Sequence, residues 1–95
     1  MEKTPHELVE ELLVLTHEFS RLSEMWAESI KKQADFFHEN RINYKSDNAC
    51  QKDFDRTDNG VQMQIIKAKL KSKEKRMSAI RTAVRLAESE ARNLM

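Results

Sequence analysis

A chain of 95 residues with one glycine, Gly60, and one proline, Pro5, has almost no means of reversing direction tightly. Sandwiches, barrels and Rossmann-type folds need turn residues at short, regular intervals, so this scarcity excludes them. What remains is a small number of long helices. Ala, Glu, Lys, Leu and Arg fill 44 of the 95 positions, a composition that suits long helices. The length allows one domain, residues 1–95, and one small core. Hydrophobic residues make up only 39% against 35% charged, so that core must come from narrow stripes.

The first helix is predicted over residues 5–39. Thr4-Pro5-His6-Glu7 supplies an N-cap hydroxyl, proline at the first helical position, and a glutamate placed to reach back to the cap's N–H. Leu8, Leu12, Leu15, Phe19, Leu22 and Trp26 follow at alternating spacings of four and three, which is a heptad seam. Ile30, Ala34 and Phe37 continue it after one residue of drift, read as a stutter. The second helix is predicted over 61–95. Its seam is Met63, Ile66, Leu70, Met77, Ile80, Val84, Ala87, Ala91 and Leu94, with Lys73 in one polar slot.

Residues 40–60 between them are polar. A stretch that long without structure is unusual inside a compact domain, so a short helix or ordered turn is expected around Asp47–Asp55. Ser46 or Asp47 would cap it, and Phe54 would pin it down. The fold class is therefore all-α: a long antiparallel helical hairpin of two helices, each of some 33 to 35 residues and about 50 Å long. Further apolar residues flank the seams. Val14, Met25 and Phe36 lie on one edge of the first helix, Val9 and Leu13 on the other. Val61, Ile65, Ala68, Ala79, Ala83 and Leu86 form a second stripe on the last helix. Sectors this wide call for more than one partner helix, so a homodimeric bundle or docking on another protein is expected.

The net charge of +1 hides an uneven distribution. Residues 1–46 carry −3, residues 47–60 carry −2, and residues 61–95 carry +6. An antiparallel pairing would set Glu7, Glu10, Glu11 and Glu18 beside Arg81, Arg85 and Arg92. Lys67, Lys69, Lys71, Lys75 and Arg76, with Lys31 and Lys32 expected across from them, form a candidate partner- or nucleic-acid-binding cluster. Nothing aromatic or glycine-rich interleaves with these cations to stack bases, which favours a solvated helix face.

The remaining chemistry-bearing residues do not converge. Asp55-Arg56-Thr57-Asp58-Asn59-Gly60 copies the first half of a calcium loop, but Gln62 and Ile66 stand where an aliphatic residue and the bidentate glutamate belong. A helix-start turn is the better reading. His6, His17 and His38 lack the Glu-x-x-His or His-Glu-x-x-His spacing of metal sites. Cys50, the single cysteine, has no base or oxyanion site beside it in sequence, and Trp26 sits in mid-seam as core material. No catalytic residue, metal ligand or cofactor is expected. No stretch is apolar enough to cross a membrane, and Glu2 and Lys3 lead into no signal-peptide core, so a cytoplasmic protein is expected.

Lys45-Ser46-Asp47, Cys50, Thr57, Gly60, Lys71-Ser72-Lys73-Glu74-Lys75 and Ser78-Ala79-Ile80-Arg81 together resemble small helical accessory proteins encoded by bacteriophages. The resemblance covers the C-terminal half and carries no catalytic residue. It implies a role in the host cytoplasm as an inhibitor of host or defence machinery, or as a helper of replication or packaging. The function expected is thus a non-enzymatic interaction protein that binds a host or nuclease-complex partner through helix faces. The alternative is a nucleic-acid-binding accessory protein that uses its basic second helix.

Overall fold

A computed structural model describes residues 3–93; Leu94 of the expected seam and the helix end at Met95 lie outside the described residues. Among the described residues there are three α-helices and no strand: α1 (Pro5–Asn40), α2 (Asp47–Arg56) and α3 (Asp58–Asn93), with a 3-10 turn at Arg41–Asn43. Each long helix has 36 residues, about 54 Å of rise, within a body of 68 × 21 × 20 Å. Early residues of α1 meet late residues of α3, as Glu11 with Arg76 and Glu18 with Lys73 show. The two helices therefore lie side by side in opposite directions.

Local chemistry sets each boundary. Thr4 caps α1, its hydroxyl oxygen accepting the Glu7 N–H at 3.2 Å. The Glu7 carboxylate accepts the Thr4 hydroxyl proton, rather than the cap N–H expected of a capping box. At the far end Asn40 Nδ2 donates to the Phe36 carbonyl, and the Arg41 N–H closes the last turn on Phe37. Ser46 caps α2 by accepting the Ala49 N–H at 3.1 Å. The expected polar connector is thus mostly helical.

The corner between α2 and α3 is one residue, Thr57. Its backbone is extended, and its N–H and hydroxyl both donate to the Phe54 carbonyl, at 2.9 and 2.6 Å. The same hydroxyl oxygen accepts the Gly60 N–H at 3.1 Å, and the Thr57 carbonyl accepts the Val61 N–H. One side chain closes α2 and caps α3, so α3 starts at Asp58, three residues before the expected start at Val61. Gly60 is needed for close approach. A Cβ there would lie 2.1 Å from the Phe54 oxygen and 2.7 Å from the Asp55 Cα.

The seam is apolar at the open end and mixed toward the corner. Leu15, Met77 and Ile80 form its centre, with Leu8, Leu12, Phe19 and Val84 packed around them. Leu22, Met63 and Ile66 are buried farther along, Leu70 and Trp26 half-buried. On α1 the heptad then runs on without a stutter. Ser29 is buried and Gln33 and Phe36 are half-buried, whereas Ile30 and Ala34 are exposed. Polar residues occupy the true seam positions, which is why the apolar pattern drifts by one residue there. Small Ser29 can enter that seam, and Gln33 can because its amide donates to Gln51 Oε1 at 2.8 Å. Cys50 and Phe54 are fully buried under α2, with Phe36 5.4 Å from Phe54 and edge-on to half-buried Phe37.

Ile80 is 1% exposed, so Ile80→Asp should cost at least about 3 kcal/mol and abolish helicity, while half-buried Leu70→Asp should leave a weakened fold. Circular dichroism against urea separates the two. Gly60→Ala should destabilise by about 1–3 kcal/mol despite alanine's higher helix propensity, because the backbone it meets cannot rotate away. A gain in melting temperature for that variant would contradict the close approach at the corner.

Candidate protein-interaction site

Heptad geometry gives the α1–α3 pair two broad sides that differ in chemistry. On the first side, one step from the seam, α1 carries Glu11, Glu18, Met25 and Lys32, and α3 carries Gln62, Lys69, Arg76 and Ala83. Here the helices are joined by charge. Arg76 forms a two-point bond to Glu11, Nε to Oε1 at 2.8 Å and an Nη to Oε2 at 2.9 Å. Lys3 adds a bond to Glu11 at 2.7 Å, and Lys73 reaches Glu18. Open grooves run along this side, lined by Arg21, Leu22, Met25, Lys69 and Ser72, and nearer the corner by Glu28, Ser29, Lys32, Asn59 and Gln62.

These pairings correct two expectations. The acidic start of α1 is met by Lys73 and Arg76. Arg81, Arg85 and Arg92 are exposed and take no carboxylate partner among the described residues. Arg76 is therefore an interhelix tie, not a free member of the basic cluster. Lys32 lies across from Asn59 and Gln62, and Lys31, its neighbour, is exposed; neither stands across from the lysines of α3. The reason is register. The one-residue corner brings α3 back so early that the middle of α3 faces the first half of α1. Lys67, Lys69, Lys71 and Lys75 are exposed, with Lys69 in the groove beside Arg21.

On the second side Val9 meets Val84, Ala87 and Glu88 in a shallow recess. From Val9 the α1 surface runs through Leu13, Thr16, Ser20, Ser23, Ala27 and Ile30 at spacings of four and three. No charge interrupts it. Along α3 the corresponding row is Lys67, Lys71, Glu74, Ser78, Arg81 and Arg85, all exposed. Sequence reasoning noticed Val9 and Leu13 but missed the row, because its middle is serine, threonine and alanine. The signal was available as a second heptad repeat, offset by one residue from the seam.

The polar residues of the connector pair with one another. Tyr44 donates its hydroxyl to Asp53 Oδ2 at 2.7 Å, and that bond raises its pKa. Arg41 pairs with Asp47 and also donates to the Tyr44 carbonyl at 2.8 Å, which ties the 3-10 turn to α2. Gln51, held by Gln33, donates to Asp55 Oδ1 at 2.8 Å. Asp55 and Thr57 thus serve the corner in the stretch that copies a calcium loop. Burial raises the pKa of the Cys50 thiol, which opposes formation of a nucleophilic thiolate. His6 lies 3.1 Å from Glu10 on an exposed turn, and His17 and His38 are exposed. Among the described residues no three His, Cys, Asp or Glu side chains gather as metal ligands. No described helix is long and apolar enough to cross a membrane.

Hydrogen bonds from Arg76 first, and Lys3 second, hold the Glu11 carboxyl at about 2 instead of the usual 4.5. A carboxyl depressed on folding stabilises the native state above its unfolded pKa, and that contribution is lost as pH falls from 4.5 toward 2. The melting temperature should therefore fall across this window, and Glu11→Gln should flatten that part of the acid limb. An unchanged acid limb in the variant would remove Glu11 as its source.

No protein-family model, no curated protein and no solved structure matches this chain, which leaves its own geometry as the basis of a functional reading.

Proposed function

We propose that this chain is a non-enzymatic helical interaction protein that holds its partner through the outer faces of an antiparallel hairpin. One observation carries this reading. Nine large apolar side chains are exposed among the described residues, against eight hydrophobic residues in the buried core. Leu13 at 67%, Leu86 at 59% and Val14 at 58% exposure lie on helix surfaces rather than in loops. A helical pair that leaves so much of its apolar material outside is suited to burying it against something else. Its grooves are open along their length, a contour that fits a helix better than a small substrate.

Self-association supplies the simplest cover for part of that surface. Two copies meeting through the ion-paired side would set the acidic α1 of one over the basic α3 of the other. That side bears Val14, Met25, Ile65 and Leu86, and the product is a four-helix bundle. The likeness of the C-terminal half to bacteriophage accessory proteins supports a setting in the host cytoplasm, with a host or nuclease complex as the inhibited partner. A second reading, nucleic-acid binding, is favoured by the exposed cations of α3 that have no carboxylate partner among the described residues.

Light scattering at micromolar concentration should give a mass near twice 11.2 kDa. A clean monomer overturns the self-association and leaves the partner role standing. Replacing Lys67, Lys71 and Lys75 together by Gln should leave mass and helicity unchanged, since Gln matches Lys in helix propensity. Under the first reading neither protein retains duplex DNA. Retention that weakens steeply with salt, with a slope about three units shallower in the variant, would select the second reading instead.

A further inference from the structure

The two sides of the helical pair are not equally provided for. Glu11, Glu18, Lys73 and Arg76 neutralise one another on the first side. On the second side four cations, Lys67, Lys71, Arg81 and Arg85, share their row with Glu74, and Glu88 ends it beside Val9. Parallel to it lies the uncharged α1 row from Val9 to Ile30, with a shallow recess at one end where Val9 meets Val84, Ala87 and Glu88. That row spans 21 residues, about 32 Å of helix. A surface of this length, with Val9, Leu13, Ala27 and Ile30 beside a mostly basic row, has room for a third helix.

We infer that this second side is the docking surface for one helix of a partner protein, a helix with an apolar seam and carboxylates along one edge. The inference rests on the interaction role proposed above and names its partner's chemistry. The seam of the incoming helix would cover Leu13, Ala27 and Ile30, and its carboxylates would meet Lys67, Lys71, Arg81 and Arg85. Glu10, Glu24 and Lys31 border the outer edge of the α1 row, two carboxylates to one cation, so the opposite edge of the incoming helix should be mainly basic. Charge on both edges fixes its direction and register as well as attracting it.

Two other occupants fit this surface poorly. A second copy brought to it by a two-fold axis either sets the basic rows of α3 against each other or lays them over Leu13 and Ile30. Both arrangements place charges without partners in an interface. A nucleic acid would use mainly the α3 row, because the α1 row itself offers no cation and Glu10 and Glu24 outnumber Lys31 at its edge. A protein helix uses the whole width.

The test is a display library of 28-residue helices with a fixed leucine seam and edge positions drawn from Glu, Lys and Gln, selected against the full chain. Enriched helices should carry Glu on one edge and Lys on the other. By fluorescence anisotropy their affinity should fall at least about tenfold for Arg81→Glu/Arg85→Glu, and similarly for Leu13→Ser/Ile30→Ser. All four positions are exposed, and circular dichroism checks that each variant keeps its fold. Binders with no charge bias overturn the inference. So do binders that ignore both variants and respond to Met25→Ser/Leu86→Ser; that result moves the site to the ion-paired side and leaves the interaction role intact. Failure of every edge pattern to bind at micromolar concentration overturns the interaction role as well. Retention of a 20-base-pair DNA duplex that is lost in Arg81→Glu/Arg85→Glu but kept in Leu13→Ser/Ile30→Ser assigns the basic row to nucleic acid instead.

Discussion

Gly60 meets the carbonyl of Phe54 at a separation that only a missing side chain permits, and the course of the chain follows from that contact. It lets α3 begin one residue after α2 ends, with Thr57 closing one helix and capping the next. A longer loop would bring α3 back in a different register. With this corner, Met63 and Ile66 enter the seam, Glu11 reaches Arg76, and Glu18 reaches Lys73. The ion pairs then hold the register far from the corner. Exposed pairs of this kind add about 0 to 1 kcal/mol each, so alignment is their larger effect.

The seam is graded along its length. At the open end it is built from Leu15, Met77 and Ile80, and toward the corner polar Ser29 and Gln33 occupy seam positions. Polar seam residues lower stability but specify one alignment, since sliding the helices would strip Gln33 of Gln51. Gln51 in turn holds Asp55, and Tyr44 holds Asp53, so α2 is fastened by side-chain bonds as well as by Phe54 and Cys50. This small helix acts as a wedge. It carries little of the chain's surface and fixes the direction of both long helices.

The two long sides of the molecule differ in their chemistry. One spends its charge internally, through Glu11, Glu18, Lys73 and Arg76, while the other presents cations and an uncharged row outward. A chain whose overall charge is +1 thereby presents a directional surface. Neutral composition conceals it because acidic α1 and basic α3 cancel in the sum but not in space.

Much of the architecture was readable from residue order alone. Thr4-Pro5, the leucine repeat of α1, the Met63-to-Val84 repeat of α3, and Ser46 ahead of a segment ending in Phe54 are local signals. Capping and heptad spacing act within a few residues, so they need no knowledge of the fold. The sequence could not determine what depends on distant partners. Ser29 and Gln33 looked like breaks in a seam until Gln51 supplied the amide bond that lets glutamine enter it. Arg81, Arg85 and Arg92 looked like the neighbours of the acidic start of α1 until the corner at Thr57 and Gly60 set the register that pairs Glu11 with Arg76 and Glu18 with Lys73. Helix formation is decided by neighbours three and four residues away. Which sides of two helices face each other is decided by the turn that joins them; the single glycine marked that turn in the sequence, but its contact with the Phe54 carbonyl, which made the choice, exists only in the fold.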